Sequence, residues 1–287
     1  MQFGQRLTAG AVAGAAALLA GMGSALADKP VPWQLGLQKP VSPVARDIYW
    51  FHNDFVLWII TAIAVFVLGL LGYIIWRFNA ANNPTPSKTS HSTLIEVIWT
   101  VVPVLILVAI AIPSFKLLYF MDKAQNAEMT LKVTAHQWYW TYEYPDHGDI
   151  KFDSYMIPDK DIKPGQQRLL EVDNPVVLPV GVTVRLLIAS SDVMHSWFVS
   201  AIGVQEYGNP GRVNEKWVRI DTPGTYYGQC NQICGVNHGF MPIAVQAVSK
   251  ENFAKWVEEA KKKFASNGDG PPAPVAVAQA PTADLKN

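Results

Sequence analysis

Two long stretches without a charged side chain, 55–76 and 97–115, decide most of what this chain can fold into. At about 1.5 Å of helical rise per residue, the first is long enough to cross a hydrocarbon layer about 30 Å thick, and the second nearly so. Lipid offers no partners to backbone N–H and C=O groups, so such a run must be a helix. Trp58 and Trp76 lie near the ends of the first run, where amphipathic rings favour the interface. Pro103 and Pro113 interrupt the second, which a membrane helix tolerates when neighbours satisfy the freed carbonyls. The segment between the runs is polar and broken by Pro84 and Pro86. The expectation is a membrane hairpin: a helix over 55–77, a loop over 78–93 and a second helix over 94–118.

Ahead of the hairpin, residues 1–27 read as a secretory leader. Arg6 gives the positive start, an alanine- and leucine-rich run follows, and Ala25, Leu26 and Ala27 resemble a cleavage site. A third membrane helix is the alternative. Cleavage would leave 28–54, with Pro30, Pro32, Pro40 and Pro43, as an extended lead-in ending in a short helix around 45–51. The new amino terminus would lie outside the cytoplasm. The loop carrying Arg77 and Lys88 would then face inward, as basic loops do, and everything after Lys116 would return outside.

From Met129 the pattern changes. Alternating segments at 130–145, 167–172, 182–190, 196–202, 216–222 and 241–248 are separated by Pro, Gly and Asn, which points to an antiparallel sandwich or barrel over 128–249. The segment 250–265 follows as an amphipathic helix. Its apolar face holds Phe253, Trp256, Val257, Ala260 and Phe264, and is expected to pack on the barrel. The tail 266–287 is rich in proline and alanine and reads as disordered; it lacks a haem-attachment motif. A net charge of zero argues against a nucleic-acid binder, which would call for a basic excess. Residues 128–249 carry 13 acidic against 9 basic side chains, a bias that attracts a basic partner.

The chemistry concentrates in 226–242, YYGQCNQICGVNHGFMP. Cys230 and Cys234 are the only cysteines, His238 and Met241 follow, and Gly228, Gly235 and Gly239 prevent a regular helix. Thiolate, imidazole and thioether together favour copper. A further ligand is needed from elsewhere, and His195 is the natural candidate. Three other readings stand beside this one. A disulfide would leave His238 and Met241 unexplained. Structural zinc would give methionine no role. A catalytic cysteine sits poorly with two thiols in tandem.

The run C-x-x-x-C-x-x-x-H-x-x-M, preceded by YYGQ and paired with the upstream HSW, resembles the binuclear copper loop of cytochrome c oxidase subunit II. The likeness extends through HQWYWTYEYP, SYMIP, LLEVDNPVVLP, PGR and both membrane segments. It implies a two-helix transmembrane hairpin followed by a cupredoxin-like Greek-key barrel. It implies a bacterial inner membrane with the copper domain on the outer, periplasmic side. It also implies two copper ions bridged by Cys230 and Cys234, one taking His195 and Met241, the other His238 and the main-chain oxygen of Gln232. Many relatives have glutamate where this chain has Gln232, and that side chain also reaches a magnesium at the junction with subunit I. A neutral amide is a poorer ligand for a hard cation, so magnesium is left open here.

The same resemblance assigns Trp138 to electron entry, although on a strand it would simply share a packed face with Trp140, Tyr142 and Tyr144. Glu143, Asp153, Asp173 and Asp192 correspond to carboxylates that attract the lysines of cytochrome c; each alone is an ordinary surface group. Glu96 corresponds to the entrance of a proton path, and its spacing from Thr93 equally fits a capping box. The partners implied are subunit I, which bears haem, a third subunit, cytochrome c and the bilayer. The competing reading is a membrane-tethered copper carrier outside any oxidase.

Overall fold

The computed structural model describes residues 26–264 apart from 123, 125 and 149. The leader is therefore met only at its last residues, where Leu26–Asp28 forms a short strand, β1, and the tail expected over 266–287 lies outside the described residues.

The first helix starts earlier than its apolar run. Ser42 caps helix α1 (Pro43–Tyr49), its Oγ accepting the Ala45 N–H at 2.9 Å, and Pro43 occupies a first-turn position where its missing N–H costs nothing. A π-helical stretch, Trp50–Val56, then leads into α2 (Leu57–Arg77). The short helix and the first span expected separately are thus one helical run, Pro43–Arg77. Helix α3 (Thr93–Asp122) absorbs both prolines. Its backbone begins at Thr93, with the Glu96 N–H on the Ser92 carbonyl at 3.0 Å, so Thr93 is already helical and does not act as the cap of a Thr93–Glu96 box. Both runs are long and apolar enough to cross a membrane, and neither α2 nor α3 buries a side chain within this chain.

The rest is a two-sheet sandwich. One sheet orders β4 (Ile150–Ser154), β3 (Tyr139–Tyr144), β2 (Met129–His136), β6 (Val184–Ser190) and β9 (Asn214–Val218). The other orders β5 (Val176–Pro179), β11 (Pro242–Val248), β10 (Gly224–Cys230), β7 (His195–Val199) and β8 (Val204–Gly208), with β1 beside β10. β2 pairs with β6 in parallel, as do β11 with β5 and β1 with β10; the other neighbours are antiparallel. Alternate residues of β6 are buried, as period-two patterning requires. The inward faces meet in one core containing Leu131, Trp140, Tyr142, Leu186, Ile188, Trp197 and Ile243. The whole is the expected architecture: two apolar helices, a cupredoxin-like β domain and a carboxy-terminal helix.

Two strand expectations need correcting. The stretch 130–145 is a hairpin, not one strand: β2 and β3 pair antiparallel around Gln137 and Trp138, which takes Trp138 off the face where Trp140, Tyr142 and Tyr144 are buried. The stretch 167–172 turns, with Leu169 at φ +66°; it pairs through a single bridge from Val172 to Met156 and meets β10 where the Tyr227 hydroxyl donates to Glu171 at 3.0 Å.

Helix α4 (Lys250–Phe264) packs as its pattern demands. Phe253, Val257 and Ala260 are buried, Trp256 meets Tyr144 at 5.0 Å between ring centroids, and Phe264 stacks on Phe152 at 4.7 Å. The domain is also tied to the helices. Val41 exchanges backbone hydrogen bonds with Ala201 and Asp221, Ser42 Oγ donates to the Ile202 carbonyl, and Trp217 Nε1 donates to the Phe120 carbonyl near the end of α3.

Candidate metal centre

The β10–β7 pairing covers only Gln229 with Phe198 and Cys230 with Trp197, and it places Cys230 next to the strand that His195 opens. A side chain at Gly228 would collide with the Phe198 carbonyl, so glycine permits this close approach. Past Cys230 the chain leaves the sheet. The Asn231 N–H returns to the Ser196 carbonyl at 3.1 Å, a tight turn spans His238–Phe240, and Met241 sits just ahead of β11.

The side chains expected to bind metal converge. Cys230 Sγ lies 3.9 Å from His195 Nδ1 and 3.9 Å from Cys234 Sγ. Cys234 Sγ lies 3.6 Å from His238 Nδ1 and 3.7 Å from Met241 Sδ. The Gln232 carbonyl is 3.3 Å from Cys230 Sγ. The ligand atoms of His195, Cys230 and Cys234 all fall within 4.8 Å of one another, and His238 and Met241 extend this set through Cys234. His195 and Met241 are fully buried and both cysteines nearly so, whereas His238 and Gln232 are half-buried. A disulfide would need sulfurs about 2.05 Å apart, so these are two free thiols.

Burial pushes both thiols up. At Cys230 the hydrogen bond to His195, helped by backbone groups of Ser196 and Gln232, outweighs burial and brings the thiol down to about 6. At Cys234 burial is reinforced by the charge on Cys230, and the thiol is pushed up to about 12. Burial lowers the His195 imidazole, but Cys230 and Asp192 raise it above its ordinary value. Without a cation the site therefore holds one thiolate against one thiol. A bound cation removes the penalty on the second thiolate. Two sulfurs 3.9 Å apart can both contact one ion at about 2.3 Å each, the usual length of a metal–thiolate bond. Two thiolates, two imidazoles, a thioether and a carbonyl form a soft donor set that suits copper.

The turn between β2 and β3 closes over this loop. Trp138 Nε1 and Gln137 Nε2 both donate to the Cys234 carbonyl, at 3.2 and 2.8 Å. Gly235 lies beneath at φ +122°, and a Cβ there would meet the Trp138 ring at 2.9 Å. Half-buried Trp138 thus touches the copper loop directly, which its place in an alternating pattern did not reveal. Trp140, read from sequence as packing alone, does more. Its Nε1 donates to the Met241 carbonyl at 3.1 Å and its ring meets His195 edge-on at 6.2 Å. No spacing rule marks it; only the ligand identities at both ends do.

The four carboxylates divide. Asp153 accepts from Thr141 Oγ1 at 2.6 Å, and Asp173 accepts the Tyr155 N–H at 2.8 Å. These two flank a half-buried ladder in which His136 stacks on Tyr139 and Tyr139 on Tyr155. His136, also missed in the sequence, bonds Thr141 and Ser191 at 3.0 and 2.7 Å. Glu143 sits further along β3 and is paired with Lys132 at 2.6 Å. Asp192 is exposed, yet both its oxygens are engaged by the protein: it accepts from His195 Nε2 at 2.9 Å, Gln137 N–H at 2.7 Å and Val193 N–H at 2.6 Å. Glu96 belongs to a different region, in the first turn of α3, while the far end of that helix meets the β domain. At 1.5 Å per residue the two are roughly 40 Å apart.

Comparison with known proteins gives a consistent picture. Residues 129–248 match the family described as cytochrome C oxidase subunit II, periplasmic domain, and residues 30–117 match its transmembrane domain. A "Probable cytochrome c oxidase subunit 2" of Rickettsia bellii is 54% identical over 243 residues, 85% of this chain and 90% of that one. "Cytochrome c oxidase subunit 2" of Oenothera berteroana is 48% identical over 81% of this chain and 92% of its own length. Among solved structures, the periplasmic domain of subunit II of cytochrome oxidase (CoxB) of Bradyrhizobium japonicum is 46% identical. That alignment covers 49% of this chain and 98% of the other, with a TM-score of 0.46.

Proposed function

The chain belongs to the cytochrome c oxidase subunit II family, part of a haem–copper oxidoreductase complex, and from that premise we propose that it is the electron-entry subunit. It is a membrane-anchored protein with an extramembrane domain. In this reading it accepts electrons from cytochrome c at a binuclear copper centre and passes them to haem in subunit I, for oxygen reduction coupled to proton pumping. The observation that carries it is the run of contacts of 3.3–3.9 Å in which Cys230 and Cys234 face each other, Cys230 with His195 and the Gln232 carbonyl, Cys234 with His238 and Met241.

Copper bridged by both thiolates would supply a reversible one-electron carrier there. His195 and Met241 would complete one ion; His238 and the Gln232 carbonyl would complete the other. The chain's own residues do the rest. The buried walls hold the donors fixed, so that little moves when the charge changes. Trp138, bonded to the Cys234 carbonyl and half-exposed, offers the short path inward from a bound donor. Asp153 and Asp173, around the aromatic ladder, are placed to meet lysines on that donor. Ile233 and Val236, 82% and 85% exposed on the copper loop, present apolar tips suited to a partner surface. Gln232 offers a hard cation such as magnesium an amide where a carboxylate would serve better.

Glu96 lies about a membrane's thickness from the copper domain, as a proton entrance on the cytoplasmic side of a bacterial inner membrane would, with the copper domain periplasmic. Glu96→Ala should slow proton uptake during turnover and leave copper content intact; unchanged turnover discards that role. The subunit reading itself is tested by loading the full chain with copper in detergent. Two coppers per chain with a mixed-valence spectrum are expected, together with co-purification of a haem-bearing membrane subunit. Colourless protein with its thiols joined overturns the copper reading. Copper without any haem-bearing companion favours the free-standing carrier.

A further inference from the structure

We infer that Asp192 and Gln137 form a hydrogen-bonded bracket that positions the two sides of the copper site, and Trp138 above it, relative to one another; the inference rests on the copper reading given above. The chain of contacts is continuous. His195 Nε2 donates to Asp192 Oδ1 at 2.9 Å, and the Gln137 N–H donates to Asp192 Oδ2 at 2.7 Å. Gln137 Nε2 then reaches the Cys234 carbonyl at 2.8 Å, where Trp138 Nε1 also arrives at 3.2 Å.

One carboxylate and one amide therefore join three pieces of the domain that are distant in sequence. These are the start of β7, the β2–β3 turn and the copper loop. The two oxygens of Asp192 have different tasks. Oδ1 accepts from the histidine and is itself fixed by the Val193 N–H at 2.6 Å, while Oδ2 reaches across to the turn. A carboxylate serving only to attract a partner would turn its oxygens to water. Asp192 also selects the ring nitrogen: with Nε2–H engaged, Nδ1 is the one left facing Cys230 and any metal. The bracket makes Asp192 and Gln137 positioning residues, acting on the metal only through His195 and Cys234.

The test uses the full-length chain in detergent, loaded with copper, as wild type, Asp192→Ala, Asp192→Asn and Gln137→Ala. Copper affinity and the copper electron paramagnetic resonance spectrum are read, with thermal unfolding of the metal-free forms as a check on folding. Asp192→Ala should weaken copper binding about 10–100-fold and alter the spectrum, the range seen when a ligand loses its outer partner. Asp192→Asn keeps one acceptor oxygen and should recover part of both, and Gln137→Ala should shift the spectrum with a smaller loss. Wild-type affinity and spectrum in Asp192→Ala overturn the bracket, as does equal loss in the alanine and asparagine variants, which would make charge the only quantity that matters. Should Asp192→Ala fail to fold, an unchanged spectrum in Gln137→Ala overturns it instead. A wild-type chain that takes up no copper sinks the function reading first, and the bracket with it.

Discussion

The ligands divide between two kinds of structure. His195, Cys230 and Met241 sit at strand ends, fully or almost fully buried, with His195 held by Asp192 and the Met241 backbone held by Trp140. Cys234, His238 and the Gln232 carbonyl ride on a loop whose neighbours Ile233 and Val236 face solvent. The contrast extends to charge, since burial raises both thiols but the His195 hydrogen bond brings Cys230 down, while the charge on Cys230 raises Cys234 further. One half is built by the sandwich whether or not metal is present. The other half gains its final ligand form, a second thiolate, only when a cation compensates it. Pre-organisation and metal-driven completion are thus allotted to different segments of one site.

The cysteines should break this contrast outright, because a bridging pair needs both members. Cys230→Ser and Cys234→Ser should each abolish the two-copper mixed-valence spectrum despite their different settings. Retention of that spectrum in either variant would show that the ions are not bridged by both sulfurs. The histidines should restore the contrast. In metal-free protein, His195→Ala leaves Cys230 facing a fully buried gap, and an unmet buried polar group costs about 1–3 kcal/mol. His238→Ala, on the half-exposed loop, should cost less than about 1 kcal/mol, as surface changes do. Denaturant unfolding of the two apo-proteins decides it, and equal losses would remove the distinction between strand and loop halves.

A pH measurement sharpens the comparison. A thiolate is the reactive form, so alkylation in the metal-free chain should begin at Cys230, below the ordinary thiol range, because the His195 hydrogen bond outweighs burial there. Cys234 should stay unreactive until far more alkaline solution. The stability linkage runs the same way. Cys230 is depressed on folding, so its contribution is complete above the ordinary thiol range and is lost as pH falls towards 6. Cys234 is raised, so its contribution is complete below that range and is lost as pH rises towards 12. Mass mapping of alkylated peptides across pH reads the order directly; simultaneous labelling would mean the two thiols are equivalent.

Much of this division was legible in the residues, and the reasons differ by element. The membrane runs could be read because lipid imposes one requirement, an unbroken apolar helix, and 55–76 meets it without any partner. Metal-ligand types are legible for a similar reason: thiolate, imidazole and thioether at short spacing have few other joint uses. What could not be read is where separate segments touch. The bond from Trp138 to Cys234, the edge-on contact of Trp140 with His195 and the bond from Gln137 to Asp192 are all products of β2, β7 and β10 meeting across long sequence separations. The hairpin at Gln137 and Trp138 was hidden because strand-like residues continue through it, from MTLKVTAH into the aromatic run that begins at Trp138, with no Gly, Pro or Asn at the turn. The turn at 167–172 was hidden because its alternation is strand-like while Leu169 adopts a left-handed backbone.

The smallest expected effect concerns the carboxylates outside the site. Asp153 connects through Thr141 to His136, which bonds Ser191 beside the copper-binding turn. Glu143 lies two residues further along β3 than Thr141, about 7 Å away on the same face, and already faces Lys132. Exposed charges are screened over about 8–10 Å, so a basic donor seated over Trp138 should feel Asp153 more than Glu143. Asp153→Asn should lower the low-salt association rate of cytochrome c about two- to fivefold, and Glu143→Gln less than twofold. Both differences should fade as salt is added. Removing Lys132 together with Glu143 should return the rate to that of the wild type, because the pair then leaves no net charge behind. Stopped-flow mixing at two ionic strengths separates these cases. A larger effect at Glu143 than at Asp153 would move the docking centre down the sheet, away from Trp138, and with it the point where the electron enters.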